Sequence, residues 1–235
     1  MDLPLPPGRT PPKRGQMRIP ITQDAIVDAA LRVLDAEGLE AVSMRRVGQE
    51  LDTGPASLYA HVANKKELLD LVFDRIVGEV ELPGPPDPDR WQDQVRELGI
   101  AMHATLSSHA DVARVALANI PLGPNSLRVA ERMLAIMLAG GVGAQDAGWF
   151  LDRVSLYICA DAYEGTLWEL PEGIDPVADH EELVAPLRNY FASLPAEHFP
   201  SFVANVDAMT TGGAEERFLF GLDLLLDGLA ARTRR

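Results

Sequence analysis

Ser57, Tyr59, His61 and Lys65 place four hydrogen-bonding or charged ends at short intervals around two aliphatic anchors, Leu58 and Val62. They fall in the stretch SMRRVGQELDTGPASLYAHVANKKELLD, residues 43–70. A short helix with small and polar side chains where a core helix would carry aliphatics suits a nucleic-acid groove better than an interior. Pro55, Ala56 and Ser57 open it and should lie deepest in the major groove, where methyl contact with thymine and a hydroxyl can read bases. Tyr59 and His61 are better placed for the flanking phosphates. Lys65 begins the following helix and adds its charge to an N-terminal dipole, which favours phosphate. Arg45, two residues into the preceding helix, can reach a base or the backbone.

A second set of residues could hold a small molecule. Phe150, Tyr157, Asp161 and Trp168 recur at helical spacing on one long apolar segment, and His103 interrupts another apolar face. A pocket of apolar walls with a few convergent polar groups is the expected form of such a site, although the same spacing describes a core or a dimer interface. No catalytic constellation stands out. G-x-S-x-G, P-loop, G-x-G-x-x-G and H-E-x-x-H patterns are absent, so an enzyme is not expected, and Tyr157, Asp161 and His103 are the sole candidates for one. Asp179-His180-Glu181-Glu182 has metal-ligand residue types, but its crowding favours a solvated acidic turn, and no metal or cofactor is expected. Cys159, the single cysteine, sits in an apolar helical pattern and reads as a packed small hydrophobe in a reducing cytoplasm.

Helices must position these groups. Thr22 caps a helix stopped by Gly38, with Ile26, Ala29, Ala30, Val33 and Leu34 on one face. Ser43 caps a second, Asp52-Thr53-Gly54 supplies a turn, and Pro55 suits the first turn of a third. Asn64 caps a long helix over residues 65–80, ended by the run Pro83-Gly84-Pro85-Pro86-Asp87-Pro88. Further helices are predicted over residues 89–109, 112–119, 127–138, 146–169, 181–193, 197–208 and 214–232. The pattern is all-α: a three-helix helix-turn-helix domain suited to DNA binding (residues 21–66), then a helical bundle (67–235). Residues 1–20, with six of the 18 prolines, read as a disordered Pro-rich arm.

Charge is consistent with this division. The chain of 235 residues carries a net charge of −14, yet residues 1–70 hold nine Lys and Arg against ten Asp and Glu. The remaining 12 basic and 25 acidic side chains make the rest strongly acidic, and all three lysines (Lys13, Lys65, Lys66) lie in the first part. An acidic body would repel DNA except where the basic elements point. No apolar run is long enough to span a membrane, and no apolar leader follows the first charges, so a cytoplasmic location is expected.

The capped helix ending at Gly38, Ser43-Met44-Arg45-Arg46, Leu58-Tyr59-Ala60-His61-Val62, and Asn64-Lys65 leading to Leu68-Leu69-Asp70 together resemble the DNA-binding domain of the TetR family of bacterial regulators. Ile120-Pro121-Leu122-Gly123-Pro124 and Phe218-Leu219-Phe220-Gly221-Leu222-Asp223 resemble the C-terminal domain of the tetracycline-repressor branch. The resemblance implies a homodimeric repressor of a palindromic double-stranded operator, released by a small-molecule effector. By matching position it implies DNA contacts at Ser43, Arg45, Pro55, Ala56, Ser57, Tyr59, His61 and Lys65. The tetracycline-type members take a magnesium-chelated ligand, and the residues here leave metal dependence open. Two departures are visible: Asp52-Thr53 stands where members often have Gly-Val or Gly-Ile, and Ala60 where they have an aromatic. Dimerisation is expected through the helices near 146–169 and 214–232, with Leu222 and Leu226 at the contact. The rival reading is a protein-interaction module that keeps the helix-turn-helix shape without binding DNA.

Overall fold

The computed structural model describes residues 21–109, 112–118, 120–165 and 180–233. Within them the chain forms eleven α-helices, one 3₁₀ turn at Leu39–Ala41 and no strand. The Pro-rich arm lies outside the described residues, as do Trp168 and the side chains of residues 179–182.

The first four helices are α1 (Gln23–Glu37), α2 (Met44–Glu50), α3 (Pro55–Leu58) and α4 (Lys65–Val77). Three begin at the caps expected from sequence: Thr22 accepts from Ala25 N–H at 3.1 Å, Ser43 from Arg46 N–H at 3.1 Å and Asn64 from Glu67 N–H at 3.0 Å. Each cap satisfies an orphan donor of its first turn, worth about 1 kcal/mol. Glu67 reciprocates by accepting from Ala63 N–H at 2.6 Å, just ahead of the cap, which fixes the entry to α4. Ile26, Leu34, Val47, Leu58, Val62 and Leu68 close a dry core between these helices. Gly48 lets α2 approach the turn: a Cβ there would sit 3.0 Å from the Thr53 carbonyl oxygen. Asp52 adopts φ 49°, the left-handed region. Asp is among the few side chains that tolerate this region.

The body comprises α5 (Trp91–Ser107), α6 (Ala113–Ala118), α7 (Pro124–Ala139), α8 (Ala144–Glu164), α9 (His180–Ala192), α10 (Pro200–Met209) and α11 (Ala214–Thr233). α4 leaves the head and packs on α5, α6 and α7, so one apolar core runs through both parts. α5 packs on α7, α8 and α11, while α9 and α10 pack chiefly on each other. α7 starts three residues before the sequence reading because Pro124 occupies its first turn, where its missing N–H is unused. α3 is shorter than expected, ending at Leu58. The chain then tightens as His61 and Val62 N–H groups both donate to the Leu58 carbonyl oxygen, so Tyr59 and His61 follow the helix rather than extend it.

Candidate nucleic-acid interface and effector cavity

Leu58 and Val62 anchor the recognition segment in the head core, with 0% and 1% exposed. Their burial turns the intervening residues outward: Pro55, Ala56, Ser57, Tyr59 and His61 are all exposed, and Lys65 joins them at the start of α4. Thr53 hydroxyl donates to Ser57 Oγ at 3.2 Å, tying the turn to the helix that it precedes. On α2, Arg45 is exposed, whereas Arg46 is committed to Glu37 at 2.6 Å and Glu50 at 3.1 Å. Ser43 Oγ accepts the α2 cap bond, and its hydroxyl hydrogen remains able to donate. Seven of the eight sequence candidates are exposed, on α2, α3, the α3–α4 turn and the first turn of α4, and Ser43 is half-buried.

Several charged contacts attach this head to the body. Arg75 of α4 bridges to Asp24 at 2.6 Å and Asp28 at 2.5 Å on α1. His109, beyond α5, places Nδ1 2.9 Å from Asp35 of α1 and Nε2 3.2 Å from Glu79 beyond α4. Burial lowers the His109 pKa, but the two carboxylates outweigh it and the net shift is upward. Arg114 of α6 pairs with Glu40 in the 3₁₀ turn and holds that carboxyl below its ordinary range.

A cavity of about 280 Å³ lies where α4 meets the body. Phe73 and Val77 of α4, Met102 of α5, Val129 and Met133 of α7, and Leu151 and Cys159 of α8 provide apolar walls. Ser126, Asp152 and Ser155 are its polar members, and Ile120 and Pro121 border it. Burial pushes the Cys159 thiol up to about 11, so it stays protonated and behaves as a wall group.

Of the residues read as ligand-binding from spacing, His103, Phe150, Tyr157 and Asp161 do not line this cavity, and Trp168 is outside the described residues. His103 Nε2 stands 2.9 Å from Asp161 Oδ1, and its ring stacks on Phe218 with centroids 3.9 Å apart. Tyr157 lies parallel to the same Phe218 ring at 5.6 Å and donates its hydroxyl to the Phe218 carbonyl at 2.8 Å. Gly221 permits this contact, since a Cβ there would come 2.3 Å from the Tyr157 hydroxyl. Phe150 is buried on the inner face of α8. The structure therefore gathers His103, Tyr157 and Asp161 into one cluster joining α5, α8 and α11, apart from the cavity wall. Met102, Ser126 and Met133, which line the cavity, are not singled out by spacing in the sequence. Sequence reasoning also passed over Asp74, the one acidic interruption in the buried face of α4, which was a legible signal.

The dimer expectation needs correction in detail. Leu222 and Leu226 face inward, with Leu222 methyl carbons 3.2–3.3 Å from where a Gly99 Cβ would stand. On α11 the outward apolar residues are Phe220 and Leu224, and on α8 they are Trp149 and Leu156. A helical stripe wide enough to cover both sides had concealed which side is which. Among the described residues no helix is long and apolar enough to cross a membrane, and no cluster of three or more potential metal ligands occurs.

Comparison with known proteins gives concordant results for both parts. Residues 26–72 match the model for bacterial regulatory proteins of the tetR family, and residues 82–233 match the tetracyclin repressor-like C-terminal domain. An HTH-type transcriptional regulator of Saccharopolyspora erythraea is 30% identical over 221 residues, covering 94% of this chain and 89% of its own. The HTH-type transcriptional repressor DrrR1 of Streptomyces coeruleorubidus is 30% identical over 218 residues, covering 93% and 80%. The crystal structure of ActR from Streptomyces coelicolor in complex with actinorhodin superposes with a TM-score of 0.80 at 42% identity, covering 90% of this chain and 96% of that one.

Proposed function

This chain belongs to the tetR family and is a ligand-responsive DNA-binding regulator, and from that premise we propose a repressor that grips a palindromic operator as a homodimer and leaves it when the cavity is filled. The observation that carries this reading is the recognition segment, whose buried Leu58 and Val62 display Ser57, Tyr59 and His61 beside Lys65. Pro55, Ala56, Ser57 and Arg45 face base edges, and Ser43, Tyr59, His61 and Lys65 take phosphates. Residues 21–66 form the reading head and 67–235 the effector and dimerisation body.

Two heads fit adjacent major grooves when they are spaced about 34–36 Å apart. The pairing surface is the outward face of α8 and α11, where Trp149, Phe220 and Leu224 await a second copy. The effector is a mostly apolar small molecule with a few hydrogen-bonding groups. Such a molecule suits walls of Phe73, Met102 and Met133 with Ser126, Asp152 and Ser155 as polar points. The similar ActR has been crystallised in complex with actinorhodin, which supplies a first probe.

Selection of bound sequences from a random DNA pool tests the reading, run in parallel with Tyr59→Ala. Enrichment of a palindrome by the unmutated protein alone, and its release by actinorhodin used as a first probe, is the expected result. Failure to enrich any sequence at low salt would favour the protein-interaction alternative.

A further inference from the structure

Asp74 is only 7% exposed and stands among Phe73, Ile76 and Val77 on the buried face of α4. Its partners all come from the first turn of α7. The Ser126 N–H and hydroxyl donate to Oδ1 at 2.8 and 2.9 Å. The Asn125 N–H and side-chain amide each donate to Oδ2 at 3.2 Å, and that amide also reaches the Asp74 carbonyl at 3.0 Å. A negative charge here meets the positive end of α7, so charge-assisted hydrogen bonds and the helix dipole act together. Gly123 makes room for the carboxylate: a Cβ at that position would come 2.2 Å from Asp74 Cγ and Oδ1.

The same residues border the cavity. Ser126 lines it directly, Phe73 beside Asp74 forms part of its wall, and Pro121 borders it two residues before Gly123. We propose that Asp74 is a positioning residue that carries occupancy of the cavity to the DNA-binding head, an inference that rests on the effector reading of that cavity. A ligand that engages the Ser126 hydroxyl or displaces the start of α7 moves the donors of a buried carboxylate. Leaving that charge unsatisfied is costly, so α4 follows its donors. Arg75, one residue on, ties α4 to Asp24 and Asp28 of α1, and the head follows as a unit.

Three substitutions open the clamp in different ways. Asp74→Asn turns one acceptor oxygen into a donor facing other donors. Gly123→Ala inserts a methyl where the carboxylate stands. Ser126→Ala removes one hydroxyl and leaves the shape intact. The first readout needs neither DNA nor effector: the distance between spin labels on Ala63→Cys in the head and Ala139→Cys at the far end of α7, with labelled chains diluted in unlabelled ones. A Cys159→Ser background removes the single native thiol.

Asp74→Asn and Gly123→Ala are expected to shift or broaden that distance, and to weaken operator binding by at least about 5-fold, the low end of ordinary allosteric couplings. Ser126→Ala is expected to reduce the ratio of operator affinities without and with actinorhodin. Wild-type distance distributions in folded Asp74→Asn and Gly123→Ala would overturn the proposal. If both unfold, a wild-type distance and a wild-type ratio in Ser126→Ala would do so. Wild-type protein that ignores actinorhodin would instead count against the effector reading, because the distance measurement is independent of it.

Discussion

Leu222 and Leu224 stand two residues apart on α11 with opposite surroundings, and their substitutions should separate folding from pairing. Leu222 is 0% exposed and packs on α5 beside Gly99. Leu222→Ala should cost about 2–5 kcal/mol, since it removes buried methyl groups and leaves a cavity. In a chain of this size each kcal/mol lowers the melting temperature by roughly 2–4 °C, so a drop of about 10 °C is expected. Leu224 is 57% exposed in the protomer. Covering that remainder contributes about 1–1.5 kcal/mol, a little over half of a leucine's full burial. A two-fold axis repeats it, which gives about 2–3 kcal/mol per dimer, or roughly 30- to 150-fold in dissociation constant. Leu224→Glu adds the desolvation of a carboxylate to that loss. Sedimentation velocity at low micromolar concentration, paired with thermal melts, reads both numbers. The expected result is a folded monomer from Leu224→Glu and a less stable dimer from Leu222→Ala. A Leu224→Glu protein that stays dimeric at submicromolar concentration would refute this assignment of the two faces.

Other perturbations probe the remaining parts. Tyr59→Ala and Lys65→Ala should each weaken operator binding, and Lys65→Ala should flatten the salt dependence by about one unit of slope, measured by titration at several salt concentrations. Ala130 also lines the cavity, and Ala130→Phe, which takes up effector space, should abolish further release by actinorhodin; release at the wild-type concentration would contradict the site. His109 has a folded pKa raised above its ordinary 6.5, so the stability that it lends the head–body contact is complete below that value and disappears as pH rises through the raised one. His109→Gln should therefore lose most stability in mildly acidic buffer and least at alkaline pH, as thermal melts across that range will show.

The local signals in the sequence were sufficient for the head. Thr22, Ser43 and Asn64 cap helices through contacts three residues away, and such spans are visible without tertiary information. Pro55 and the Asp52–Gly54 turn belong to the same class, and the exposed set from Arg45 to Lys65 followed from them. Contacts between distant segments were not legible. Asp74 and Ser126 are 52 residues apart, and nothing near Asp74 announces its partners. Residues on α8 can be assigned to faces but not to neighbours, so periodicity puts Tyr157 and Asp161 on one face without showing the Phe218 ring against which Tyr157 packs. On α11 every third or fourth residue is apolar all round, and periodicity cannot tell the α5 side from the outer one.

The placement of lysine has a practical consequence for chemistry done on this protein. Lys13, Lys65 and Lys66 are the only lysines in the chain, and two of them open α4, one bound to Asp70 at 3.0 Å and the other exposed beside the recognition segment. An amine-reactive reagent has no lysine to attack anywhere on the effector body. Acylation is thus a footprint of the DNA-facing end by default: a single proteolytic peptide spanning residues 65 and 66 reports whether that surface is covered, against a background that carries no lysine signal from residue 67 onward.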